Sequence, residues 1–240
     1  MNFRSLLSVA VLALSAASAS AAPITPTFDS FGTLAGATFG GTGIPNDAVA
    51  MKTVTTRFMG FPIGSVTLGL TAHQRYDNPP LANDGNGVFY ANAGVDTHAP
   101  SPSDPYALWN FAFYVGGSTA LAYNYKLFYD FDPAADTDQG AHGWASALWS
   151  GGGQNSLNLG KDYLDMTVPF FVSQPSFAAF DPSAVGEYTF GLVAYEFGTT
   201  NEVARTAIKV VVGNSVPEPA SLALAGIALI GLAASRRRKA

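Results

Sequence analysis

The sequence predicts an all-β protein, a β-sandwich of about eight to ten strands with jelly-roll or immunoglobulin-like topology. Several short stretches alternate between apolar and polar residues with a period of two, as half-buried strands do. The chain contains 25 glycines and 15 prolines, which mark frequent turns between those stretches. Outside its two ends, no stretch of ten or more residues has the spacing of an amphipathic helix. Packed sheets are therefore expected to form the core.

Strands in the first half of the domain are recognised by their β-branched residues and by alternation. They are predicted at Ala48–Phe58, Ser65–Thr71 and Val88–Ala93. Two segments next to these strands have the composition of turns. Ala72–Gly87 is rich in Asn, Asp, Gly and Pro, and His98–Pro105 holds three prolines. Both are predicted to be loops.

Two hairpins are predicted in the second half. The first joins Tyr106–Val115 to Leu121–Phe131 through the turn Gly116–Thr119, and the second joins Glu187–Phe197 to Glu202–Val212. Leu121–Phe131 alternates for 11 residues and is expected to lie centrally in a sheet. Its aromatic stripe is interpreted as core; the alternative is a surface on which sugars stack.

The chain between the hairpins gives weaker signals. The Gly-rich and Asp-rich segment Asp132–Ser156 is predicted to be irregular. Lys161–Asp165 is expected to form a short helical turn or strand, and Val168–Ser173, which contains Pro169 and ends shortly before Pro175, a brief strand.

The first 21 residues have the pattern of a secretory signal peptide. Arg4 supplies the positive charge, Leu6–Leu14 the apolar region, and Ala19–Ala21 the A-x-A cleavage pattern. The chain is therefore expected to pass through the Sec machinery and signal peptidase. The predicted domains are the signal peptide at 1–21, the β-sandwich ectodomain at 22–215 and a C-terminal segment at 216–240.

The charge of the ectodomain argues against nucleic acid as a partner. It holds 7 basic and 16 acidic residues, which gives a net charge near −9. Phosphate backbones and anionic lipid would be repelled. The chain has no cysteine, so neither disulfides nor thiol chemistry contribute, and packing must provide the stability.

The C-terminal segment has three parts in a fixed order. Pro217, Glu218 and Pro219 form a stiff extended tripeptide that cannot be helical. Ala220–Ala234 is a run of 15 mostly apolar residues that can enter a bilayer as a helix. A basic cluster then keeps the C-terminus on the cytoplasmic side. The cluster consists of Arg236, Arg237, Arg238 and Lys239.

This arrangement resembles the PEP-CTERM sorting signal of Gram-negative bacteria. The resemblance covers about 25 residues and includes the Pro-Glu-Pro, the apolar run and the basic end. It implies that exosortase, a membrane-embedded cysteine transpeptidase, cuts near the Pro-Glu-Pro. Before that cut the tail would anchor the protein transiently in the inner membrane, and after it the protein would reach the cell surface or the extracellular matrix.

No catalytic motif is found, and the protein is expected not to be an enzyme. His73, His98 and His142 do not have the spacing of an H-E-x-x-H zinc site, and they are interpreted as surface residues. The G-x-S-x-G motif of serine hydrolases is also missing from the sequence.

One acidic cluster is a candidate calcium site. Four carboxylates lie within nine residues after the predicted central strand, and Ca²⁺ accepts such oxygen ligands. They belong to Asp130, Asp132, Asp136 and Asp138. The EF-hand pattern is not fulfilled, and the alternative is a solvated loop with Asx turns. No other cofactor is expected.

The sequence therefore predicts a secreted, non-enzymatic protein of the cell surface or exopolysaccharide matrix. The first alternative is a carbohydrate-binding module that uses exposed aromatic residues such as Trp144 and Trp149, which lie in a Gly-rich segment. The second alternative is a secreted polysaccharide hydrolase. In each case extracellular polysaccharide is the expected partner.

Overall fold

The computed structural model describes residues 22–76, 80–98, 105–146, 153–177 and 179–213. The predicted signal peptide and C-terminal sorting segment lie outside these residues. The described helices are three single 3₁₀ turns, at Ala120–Ala122, Gln139–Ala141 and Asp162–Leu164. None of them is long and apolar enough to cross a membrane.

Twelve strands form two sheets in the described part of the chain, which confirms the all-β prediction. In chain order they are β1 (Ser30–Gly32), β2 (Val49–Phe58), β3 (Phe61–Gln74), β4 (Ala82–Asn83), β5 (Val88–Asn92), β6 (Trp109–Gly116), β7 (Tyr123–Tyr129), β8 (Gly143–Ser146), β9 (Gln154–Leu157), β10 (Val172–Ser173), β11 (Gly186–Glu196) and β12 (Glu202–Gly213). The five-stranded sheet has the order β1-β2-β3-β6-β9, and the seven-stranded sheet the order β10-β8-β7-β11-β12-β5-β4. Neighbours run antiparallel except β5 and β12, which are parallel.

The two sheets face each other across one core. Phe111 of β6 and Phe190 of β11 stack with ring centroids 4.3 Å apart, so the sheets meet through aromatic side chains. Thr206 of β12 donates a hydrogen bond of 2.9 Å to the carbonyl oxygen of Ala50 in β2, which also joins the sheets. In a chain without cysteine, this burial of apolar surface is the main source of stability.

The clearest alternations are found as strands with the predicted faces buried. Val66, Leu68 and Leu70 of β3 are fully buried. The hairpin of β11 and β12 is confirmed with its turn between Glu196 and Glu202. The predicted strands at Ala48–Phe58 and Val88–Ala93 correspond to β2 and β5. β3 is longer than predicted and continues to Gln74, inside a segment that was expected to be a loop.

The predicted hairpin of Tyr106–Val115 and Leu121–Phe131 is wrong. β6 pairs with β3 and β9 in the five-stranded sheet, whereas β7 lies between β8 and β11 in the seven-stranded sheet. The connection through Gly116 and the 3₁₀ turn therefore crosses from one sheet to the other. Both strands turn an aromatic face inward, and these faces oppose each other across the core. Alternation has the same period in both arrangements, so it cannot distinguish them.

The position of β7 agrees with the prediction of a central strand, and its stripe is core. Tyr125, Leu127 and Tyr129 are buried, which rules out this stripe as a sugar-stacking surface. Leu121, which was assigned to the same stripe, is 87% exposed because it lies in the 3₁₀ turn before β7. The segment predicted to be irregular, Asp132–Ser156, contains β8 and most of β9.

Candidate functional site

An open cleft on the outer face of the seven-stranded sheet is the candidate functional site. We call it the Trp144 cleft. It crosses the adjacent strands β8, β7 and β11 and has a volume of about 490 Å³, within the range of small-ligand sites. Its lining consists of Asn124, Tyr125, Lys126, Trp144, Ser146, Phe170, Tyr195, Thr199 and Thr200.

Strand alternation explains why Trp144 and Lys126 point outward. Ala145 of β8 and Leu127 of β7 face the core, so their neighbours Trp144 and Lys126 must face the opposite side. Register then brings them together, because Lys126 lies opposite Ser146. On its other side β7 pairs with β11, and there Asn124 lies opposite Tyr195.

A small apolar cluster supports the aromatic rings of the cleft. Phe128, Val193 and Ala207 form it on the outer face together with Ile24, and Trp144 and Tyr195 pack against it. These contacts hold the two partly exposed aromatic rings in place without burying them. Burial raises the pKa of Tyr195, the Arg205 guanidinium opposes this shift, and Glu202 adds to it.

Phe170 forms the rim of the cleft in an unusual backbone conformation. Its φ is +69°, in the left-handed region that non-glycine residues seldom adopt, and its side chain is 90% exposed. Such strain tends to occur at binding sites and needs support from the surroundings. The adjacent turn is held on β8, since the amide of Ser146 donates to the carbonyl oxygen of Phe171 at 2.8 Å.

The chemistry of the cleft suits a sugar. Aromatic rings offer flat apolar faces, and the amide of Asn124 and the hydroxyls of Ser146, Thr199 and Thr200 can exchange hydrogen bonds with sugar hydroxyls. Trp144, which the sequence analysis named, lies here, but on a strand and not in a loop. Trp149, named with it, lies outside the described residues. Tyr195 and Phe170 were not predicted from the sequence as site residues.

The four aspartates of the predicted calcium site lie in different surroundings. Asp130 is buried, whereas Asp136 is exposed and its carboxylate lies 3.9 Å from the Lys209 ammonium. Asp130, Asp132 and Asp138 each accept a backbone amide two residues ahead at 2.9 Å, in the manner of Asx turns. Across the described ranges, no three acidic or histidine side chains are grouped to hold a metal. A calcium site at these residues stays a prediction.

Asp130 has a different and notable environment. One of its oxygens, Oδ2, has no hydrogen-bond partner within the described part of the chain, and Nε2 of His142 lies 3.7 Å from it. Burial raises the pKa of Asp130, and the proximity of His142 and the amide of Asp132 oppose that shift. The ionised carboxylate is therefore a cost to the folded state and not a source of its stability.

Two of the three histidines are buried, which corrects the interpretation that all three are surface residues. Nε2 of His73 lies 2.8 Å from the Ser156 hydroxyl, and Nδ1 lies 2.8 Å from the carbonyl oxygen of Gln74. His142 lies between the Thr189 hydroxyl at 2.7 Å and the carbonyl oxygen of Asp138 at 3.0 Å. Burial lowers the pKa of His73. These ring nitrogens are all engaged, so both histidines tie strands and loops together.

A second cleft, of about 470 Å³, surrounds Arg75 at another edge of the molecule. Its guanidinium forms an ion pair with the buried Asp96, and the guanidinium carbon Cζ lies 4.4 Å from the ring centroid of Tyr76 and 4.5 Å from that of Tyr106. Burial alone would raise the pKa of Asp96, but hydrogen bonds from His98 and Arg75 outweigh it and hold the pKa below its usual value. Arg75 and Asp96 thus neutralise each other, so this cleft has fewer charged groups available to a ligand than the Trp144 cleft has.

The residues of the predicted sorting signal lie outside the described residues, but a comparison with known families covers them. No curated protein and no solved structure matches the chain. The comparison finds the PEP-CTERM protein-sorting motif at residues 215–239, which include Pro217, Glu218, Pro219 and the basic cluster Arg236–Lys239. This motif indicates export and membrane-anchored sorting by exosortase. The chain therefore carries a PEP-CTERM sorting motif, as a PEP-CTERM exosortase substrate does.

Proposed function

We propose that the protein is a non-enzymatic component of the cell surface or exopolysaccharide matrix that binds polysaccharide through the Trp144 cleft. The observation that carries this proposal is the pair of partly exposed rings, Trp144 and Tyr195, held by an outer apolar cluster and surrounded by hydroxyl and amide groups. Ligand sites combine apolar walls with a few placed polar groups in this way.

Delivery to the matrix fits this role. The sorting motif supports export and processing by exosortase. The proposed route begins at the Sec machinery and signal peptidase and includes a transient stay in the inner membrane. Release near Pro217–Pro219 then leaves the domain at the cell surface. The acidic domain would not bind nucleic acid, which agrees with an extracellular role.

A glycan array probed with the exported protein tests the proposal. We expect binding to a subset of polysaccharides. Trp144→Ala should lose that binding, because the flat apolar face of the indole ring, on which the sugar ring packs, is removed. Phe61→Ala is the matched control, since Phe61 is an exposed aromatic residue at the tip of the β2–β3 hairpin and does not line the cleft. An array without any bound glycan, or equal loss in both variants, would exclude the Trp144 cleft as a carbohydrate site.

A further inference from the structure

Lys126 is a cation without a carboxylate partner in the described part of the chain. Of the seven basic side chains there, four form ion pairs with acidic residues. These four are Lys52, Arg75, Arg205 and Lys209. Lys126 instead places its ammonium over the Trp144 ring, 4.0 Å from the ring centroid. In a domain with more than twice as many acidic as basic residues, this cation is left available in an open cleft.

The position of the Lys126 ammonium is largely fixed before any ligand arrives. The residue lies on β7, an interior strand, opposite Ser146 on one side and Val193 on the other. Its side chain is half-buried, and contact with the aromatic face favours one position of the ammonium. A charge that is already placed loses less conformational entropy when a ligand binds.

The cleft thus offers three kinds of contact to one ligand. The rings of Trp144 and Tyr195 provide apolar surface, the hydroxyl of Ser146 and the amide of Asn124 provide hydrogen bonds, and Lys126 provides a positive charge. A neutral sugar uses the first two. A uronate sugar uses all three, because it carries a carboxylate on the same pyranose ring whose faces and hydroxyls meet the other groups.

We propose that the Trp144 cleft prefers acidic polysaccharides built from uronate sugars, and that the Lys126 ammonium binds the uronate carboxylate. This inference rests on the proposed function and adds the chemical class of the ligand. The overall negative charge of the domain repels a polyanion at long range. At physiological ionic strength this repulsion is screened beyond about 8 Å, so the contact inside the cleft decides the preference.

The test is a titration of the exported protein with polygalacturonate and with its fully methyl-esterified, uncharged form at physiological ionic strength. We expect tighter binding of the acidic polymer, and a roughly tenfold loss in Lys126→Gln, because a charge-assisted hydrogen bond is removed. Binding of the esterified polymer should not change in that variant. Lys126→Arg should retain the preference, which separates loss of charge from loss of fold.

Lys161→Gln is the matched control, because Lys161 is also without an ion pair among the described residues but lines a different cleft. It should leave both affinities unchanged. If both polymers bind equally and Trp144→Ala weakens both, the inference about charge is refuted while the proposed function stands. If neither polymer nor any neutral glycan binds, both are refuted.

Discussion

Replacing Leu127 by alanine tests the arrangement of β7 against its matched neighbour Leu121. Leu127 lies in the middle of an interior strand with a side chain only 1% exposed, and it belongs to the main core. Removing its isopropyl group leaves a cavity between the sheets, which should lower the free energy of unfolding by about 2–5 kcal/mol. That is a large part of the stability of a typical domain, which is about 5–15 kcal/mol.

Leu121→Ala is the same chemical change at a position that is 87% exposed. It should alter the free energy of unfolding by less than about 0.5 kcal/mol, as surface substitutions do. Urea unfolding of both variants, followed by fluorescence, gives the two midpoints, and an unchanged slope shows that the comparison is valid. Similar losses in the two variants would mean that residues 121 and 127 share one buried face, as in the hairpin that the sequence suggested, and the arrangement described above would be refuted.

Three further predictions concern charge and processing. Because burial raises the pKa of Asp130 in the folded state, ionisation of this carboxyl should lower the stability of the wild type as the pH rises through the unfolded-state pKa and then the folded-state pKa. Asp130→Asn should therefore become more stable relative to the wild type from pH 3 towards neutrality. A difference in melting temperature that stays constant across this pH range would contradict the expectation. The calcium hypothesis predicts that millimolar Ca²⁺ raises the melting temperature and that Asp136→Asn combined with Asp138→Asn abolishes the rise, so an absent or unchanged shift would remove it. Intact-mass spectrometry of surface material should show a chain that begins near Ala22 and ends near Pro217–Pro219, and a mature species that keeps the basic tail would contradict this processing.

The sequence predicted the parts of the fold that depend on local alternation. β3, β11 and β12 each alternate with a period of two over many residues, and the face that points into the core follows directly from it. The sheet to which each strand belongs depends on contacts between distant residues. β6 and β7 show this, because their inward aromatic faces fit a hairpin and a crossing between sheets equally well. β8 and β9 are four residues each, too short for a period to stand out.

The Trp144 cleft was predictable only in part, for a similar reason. Trp144 could be named because aromatic residues outside core strands are candidates for ligand contact, and Lys126 could be placed on the face opposite the stripe. Their contact depends on the register of β7 with β8, which no local pattern specifies. The addition of Tyr195 depends on β11, which is separated from β8 along the chain by β9 and β10. The buried His142 was missed because its partners, Thr189 and Asp138, are brought to it by the fold.

The distribution of the exported protein between matrix and medium tests the central claim most directly. Cells that express the wild-type chain, Trp144→Ala or Phe61→Ala are fractionated, and the amount of protein in each fraction is measured by immunoblot. If the Trp144 cleft binds matrix polysaccharide, wild type and Phe61→Ala remain with the matrix while Trp144→Ala is released into the medium, although all three are exported and processed alike. Equal retention of Trp144→Ala would contradict the claim.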